Sequence, residues 1–171
     1  MKRLTRIAGG LALALVLLLL VVRVVGLERR DYHPGLWLTG EVVTTPVLDW
    51  SVVPDNGLMA LQSREWFLPP LAHSVTTAYT IVNNKLYVPS LYAAGLQFPI
   101  ARHWNKNVDR DPHVRLKIGQ KLYDVVFARV TDPTEYEMLR QSFVTRSPDL
   151  GSPGLHFNFF RAESESGTSQ R

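Results

Sequence analysis

The sequence predicts a mainly β domain with minor α content, folded as a small closed or half-closed barrel behind one N-terminal transmembrane helix. Three observations carry this reading: a long apolar run near the N-terminus, a series of short alternating segments between turn signals, and one late segment where the period becomes helical. Six or seven strands, one amphipathic helix and a short helix near Trp104 suit a barrel better than an open layer.

The apolar run extends from Ile7 to Val22, directly behind Lys2, Arg3 and Arg6. A span needs roughly 20 apolar residues, which Val24, Val25 and Leu27 supply if Arg23 bends its guanidinium back to the headgroups. A cleaved signal peptide competes with this, but Val24 to Glu28 offers no pair of small residues at cleavage spacing. An uncleaved anchor is the favoured reading. The run is apolar on every face, which argues against a buried core helix. Basic residues flank both ends, so charge bias decides little about orientation. A short basic N-terminus before a long domain favours a single-pass cell-membrane protein with its C-terminal domain on the extracytoplasmic side.

The organisation that follows is an anchor over residues 1–27, a stalk over 28–35, a domain over 36–162 and a small polar tail over 163–171, expected to be disordered. The domain is long enough for one core. From Tyr32 to Ala162 twelve basic residues face eleven acidic ones, so the basic character of the whole chain belongs mostly to the membrane flank. Nucleic acid is therefore not an expected partner. Without cysteine there is no disulfide, no thiolate metal site and no thiol nucleophile.

Leu36 to Val43 and Leu58 to Leu68 are strand candidates, separated by Pro46, Pro54 and the turn Asp55-Asn56-Gly57. Ser74 to Val82 alternates, and Asn83-Asn84 turns it into Lys85 to Val88. The clearest hairpin is His113 to Val130, turning at Gly119-Gln120. Asp132, Pro133 and Glu135 then have the spacing of an N-cap, N1 and N3, and Tyr136, Leu139 and Phe143 follow on one helical face. A last strand, Leu155 to Phe160, follows the loop from Ser147 to Gly154.

Within this pattern, Trp104, Asn107-Val108, Asp111-Pro112-His113-Val114 and Asp132-Pro133-Thr134-Glu135 stand at the places of a recurrent motif. The stretch resembles the flavin-binding split β-barrel superfamily, which includes pyridoxamine-phosphate-oxidase-like proteins and deazaflavin-dependent nitroreductases. The match is good over about 35 residues, with a looser fit at His73 to Thr77 and Lys85 to Val88. Gln62 to Pro70 replaces the glycine-arginine loop usual in the deazaflavin enzymes. The resemblance implies a split β-barrel and a homodimer with a cofactor, FMN or deazaflavin, at the subunit interface. It also implies oxidoreductase chemistry on a small-molecule ligand, with haem an outside option because related barrels include haem binders.

A flavin phosphate needs cations and hydroxyl donors that converge. The stretch from Arg102 to Lys121 is the most cationic in the domain, with six basic residues. Arg102, Lys106, Ser74, Thr76 and Thr77 are the candidate phosphate contacts, Trp104 or Tyr87 the candidate ring wall, and Asn107 part of the same motif. His73 is the candidate haem ligand. Each has a plainer reading: strand residues for Thr76 and Thr77, a core plug for Trp104, a strand-end histidine for His73, and a solvated hairpin face for Arg115, Lys117 and Lys121. No two histidines have local metal-site spacing, so no metal is expected, and no side chain is nominated as catalytic. The competing function is a non-catalytic binding or assembly module tethered to the membrane.

Overall fold

The computed structural model describes residues 2–26, 34–65, 71–100 and 102–164. The chain opens with α1 (Lys2–Val25), of which Arg6–Val25 has a mean hydropathy of 2.7 and is long and apolar enough to cross a membrane. Twenty helical residues rise roughly 30 Å, the thickness of a hydrocarbon core. At its end, the Arg23 guanidinium lies 5.6 Å from the centre of the Trp37 ring.

Seven strands follow: β1 (Glu41–Val43), β2 (Asn56–Arg64), β3 (Ala72–Val82), β4 (Lys85–Tyr92), β5 (His113–Ile118), β6 (Lys121–Arg129) and β7 (His156–Ser164). Two further helices, α2 (His103–Arg110) and α3 (Pro133–Arg146), lie between them. The sheet order is β1-β6-β5-β2-β3-β4-β7, and pairing of β6 with β7 closes six antiparallel strands into a barrel. The first residues of β6 also take β1 as a parallel neighbour. β2 and β3 pair along nine residues, whereas β3 and β4 pair only through Thr80–Val82, so the barrel wall parts between them.

Local chemistry explains the tight turns. Asn83 and Asn84 take φ of 50° and 62°, the left-handed pair that a two-residue hairpin needs. Between β5 and β6 a single left-handed residue, Gly119 at φ 62°, makes the turn. At Gly40 the chain passes so close to this turn that an added Cβ would lie 2.5 Å from the Gln120 carbonyl oxygen. α3 starts as its sequence dictates: Asp132 Oδ1 accepts from the Glu135 amide at 2.7 Å, with Pro133 at the first helical position.

Alternation decides which side of each strand faces in. Met59, Leu61, Tyr79, Leu86, Val88, Leu116, Val125, Phe127 and Phe160 fill the barrel. One end is corked by Trp50, whose ring centre lies 5.2 Å from that of Tyr123. α2 covers the other end, adding Trp104 and Val108 to the same core. A separate apolar layer, Leu139 with Tyr87, Val130, Phe157 and Phe159, lies under α3, with Tyr136 and Phe143 packed against it.

The architecture is the mainly β barrel the sequence implies, with differences at several boundaries. Of Leu36 to Val43 only Glu41–Val43 is strand, because Gly35 bridges Ser74 and the Leu38 amide is taken by Gln62 Oε1 at 2.7 Å. β4 continues to Tyr92, past Pro89, because beyond Tyr87 its ladder runs with β7, and a missing N–H is tolerated as on an edge strand. β7 reaches Ser164, two residues into the segment read as tail, while 165–171 lie outside the described residues. Residues 66–68 of the expected Leu58 to Leu68 strand, and most of the stalk, also lie outside them.

Candidate functional site

Two places near the α2 end collect polar and charged side chains, and they lie on opposite faces of the end of β2. The inner face carries Ser63, beyond which Glu65 continues the same alternation; the outer face carries Gln62 and Arg64.

On the inner side α2 caps the barrel with amides as well as apolar groups. Asn105 and Asn107 are both fully buried. Asn105 Nδ2 donates to Ser90 Oγ at 2.6 Å and also to the Tyr92 hydroxyl. Asn107 Nδ2 donates to Ser63 Oγ at 3.1 Å. The Oδ1 atoms of both have no hydrogen-bond partner among the described residues. Buried polar groups left this way are rare in native proteins. Glu65, His73 and His103 stand beside them, with the carboxylate side chain only 8% exposed. His103 Nε2 is 2.8 Å and 3.0 Å from the two Glu65 oxygens, and the two imidazole centroids are 4.7 Å apart. Burial pushes the His73 imidazole pKa below its ordinary value; nearby His103 pushes it further down, and Glu65 opposes both.

On the outer side a groove of about 1020 Å³ separates α1 from β2, β5 and β6. Val16, Leu19 and Leu20 form one wall, and Gln62, Arg64 and Arg115 belong to the other. Arg115 holds Asp124 with two bonds of 2.6 Å and 2.7 Å, and Arg64 reaches Asp111 at 3.1 Å. Bonding to Asp124 raises the Arg115 pKa despite the opposing effect of burial. Asp111 is held below its ordinary value: burial would raise it, but hydrogen bonds from His113 and the charge of Arg64 outweigh that.

The structure does not gather the sequence candidates at one point. Ser74 and Thr76 lie on the outer face of β3, where Ser74 is buried against the Gly35 bridge with its Oγ lacking a partner among the described residues. Thr77 and His73 face the interior of the same strand. Arg102 donates two bonds to the Leu91 carbonyl at 3.1 Å and 3.0 Å, and Lys106 lies one turn along α2. Trp104 is a core residue, 5.6 Å from Phe160 between ring centres. Tyr87 lies across the barrel under α3, donating to Glu135 Oε1 at 2.7 Å. Arg115, Arg64, Glu65 and Trp37 were not singled out as site residues by the sequence. A basic residue facing outward on a hairpin looks solvated until the helix that walls it is placed.

Together these features define a closed six-stranded antiparallel barrel of the split type, with a candidate membrane helix against one outer face. Similar solved structures include a candidate pyridoxamine 5'-phosphate oxidase from Listeria innocua. It is 18% identical, with a TM-score of 0.47, over 64% of this chain and 84% of that one. A FAD-binding protein from Mesorhizobium loti is 16% identical with a TM-score of 0.43, over 64% of this chain and 79% of that one. An F420-H2 dependent reductase is 17% identical with a TM-score of 0.46, over 65% of this chain and 97% of that one. No family model and no curated protein matches the chain.

Proposed function

We propose that this chain is a membrane-anchored split-barrel oxidoreductase that holds a flavin-type cofactor on the outer face of β2, β5 and β6. The observation that carries the reading is the lining of that face. It brings Arg64 and Arg115, each also paired with an aspartate, together with Gln62, and the Arg23 guanidinium at the end of α1 lies over the indole of Trp37. Guanidinium groups are matched to phosphate oxygens and an indole to a flat ring. The motif from Trp104 to Glu135 supports the same assignment, since it resembles that of flavin-binding barrels. When bound, the flavin supplies hydride or electron transfer; the protein supplies position and electrostatics. A homodimer, an extracytoplasmic domain and a small-molecule substrate belong to this proposal.

The non-catalytic module remains the second reading, favoured by the scatter of the sequence candidates: Tyr87 and Trp104 are committed to the two apolar layers. The test uses the full chain in detergent, with thermal unfolding followed against added FMN, deazaflavin and haem. The proposal expects saturable stabilisation by FMN or deazaflavin, about 2.7 kcal/mol at a hundredfold excess over Kd, and its loss in Arg115→Ala. Indifference to both flavins would hand the chain to the second reading, and stabilisation by haem alone would replace the cofactor.

A further inference from the structure

The cluster under α2 takes no part in the groove and calls for its own explanation. Glu65 follows β2, His73 lies near the start of β3 opposite Ser63, and His103 opens α2. Sequence separates the outer two by 38 residues, yet one nitrogen or oxygen from each member lies within 4.8 Å of the other two. We propose that Glu65, His73 and His103 bind one divalent transition-metal ion of the zinc or ferrous class, with a further coordination position open toward solvent.

The donor set is the first argument. Two imidazoles and one carboxylate suit first-row divalent ions, and three protein ligands leave room for water. Spacing is the second. Donors at the usual zinc distances in a tetrahedron stand about 3.3 Å apart, and His73 Nδ1 lies 3.4 Å from Glu65 Oε1. His103 Nε2, now at 2.8 Å, has to retreat by about half an ångström to meet the same geometry. It can do so: its side chain is 43% exposed, in the first turn of a helix whose N-cap, Arg102, makes no side-chain cap bond. That exposure also puts the open position on the solvent side.

Burial is the third argument. A carboxylate at 8% exposure needs compensation for its lost hydration, and two imidazoles face it. A dication held among the three supplies that compensation in full. The neighbouring layer is already polar. Asn107, one turn from His103 on the same face of α2, anchors to Ser63 and keeps a buried Oδ1 without a partner among the described residues. Ser63 in turn stands opposite His73 on the β2–β3 ladder, so this polar layer adjoins a proposed ligand, where outer contacts orient metal ligands.

The experiment strips the full chain in detergent with a chelator and titrates it with Co²⁺, reading the visible d–d band and bound metal per chain. One equivalent and a band displaced by Zn²⁺ are expected. Glu65→Gln and His103→Gln should each weaken binding by about 100-fold or more, with His113→Ala and His156→Ala unchanged. His103→Gln is the safer variant, because its side chain is half-exposed and its helix keeps the core residues Trp104 and Val108. A folded wild-type chain that retains no cobalt overturns the proposal. So does a band that survives both ligand variants or disappears with His113→Ala. Arg115→Ala, which tests the groove, should leave the cobalt band intact, so the two readings can fail separately.

Discussion

α2 and α3 both cover the barrel, but they do it with different chemistry. Under α3 the contact is apolar and its polar groups are paired. Leu139 is fully buried on Phe157 and Phe159. Glu135 accepts from Tyr87 and from Arg161, and Arg161 also holds Glu163. Under α2 the barrel end receives two buried asparagines, each with an oxygen that has no partner among the described residues, beside a buried carboxylate and two histidines. The first helix is placed by burial of apolar area, which is largely insensitive to ligands. The second leaves polar capacity that a folded protein rarely keeps without use. The difference sets a polar α2 end, where the proposed metal site lies, against an apolar and fully paired α3 side.

The strongest way to break this contrast is Leu139→Ala. Truncating a fully buried leucine removes its transfer energy and leaves a cavity, so denaturant unfolding should show a loss of about 2–5 kcal/mol. Ligand affinity in the folded fraction should not change. If affinity falls in step, the two sides are coupled and the contrast fails.

Tyr87→Phe sharpens it through pH. Burial would raise the Glu135 carboxyl, but hydrogen bonds from Tyr87 and Arg161 and the charges of Arg161 and Lys85 hold it below its ordinary value. The Tyr87 hydroxyl is pushed up, by burial first and then by its bond to Glu135. A depressed carboxyl stabilises the fold above the ordinary glutamate range and loses that contribution as pH falls through the lowered value. Removing the hydroxyl should cost about 1 kcal/mol near neutrality, and the two melting curves should converge in acid. A constant gap at every pH would remove Glu135 from the explanation.

Asn107→Ala probes the other side. It gives up the bond to Ser63 but also deletes an unpartnered oxygen, so the stability cost should stay within about 1 kcal/mol. A cost as large as that of Leu139→Ala would make α2 a packing element like α3. The smallest effect on stability belongs to Arg115→Ala. Its pair with Asp124 is well over a third exposed at the carboxylate, and such pairs contribute about 0.2–1 kcal/mol at most. Its effect on flavin stabilisation should be complete.

The two helices also differ in how far the sequence exposes them. Everything about α3 is local: Asp132, Pro133 and Glu135 mark its start, and Tyr136, Leu139 and Phe143 mark its buried face within eight residues. The hairpin turns at Asn83-Asn84 and Gly119-Gln120 are legible for the same reason. Glu65, His73 and His103 are not, because their meeting depends on barrel closure and on α2 crossing its end. Motif spacing reads ligands on one helix or one turn. The groove is harder still, since Arg115 looks like any outward hairpin residue and its opposite wall comes from residues near the N-terminus. β4 past Pro89 was hidden by a rule that holds only where both neighbours need the N–H.

The central claim is that the barrel face carrying Arg64 and Arg115 is a cofactor site, and one titration tests it most directly. Full-length protein in detergent is mixed with FMN or deazaflavin, and binding is read from quenching of ligand fluorescence beside the same titration of Arg115→Ala. The account predicts saturable quenching at one ligand per chain in the wild type and none in the variant. Equal quenching in both, or none in either by a folded protein, would contradict it.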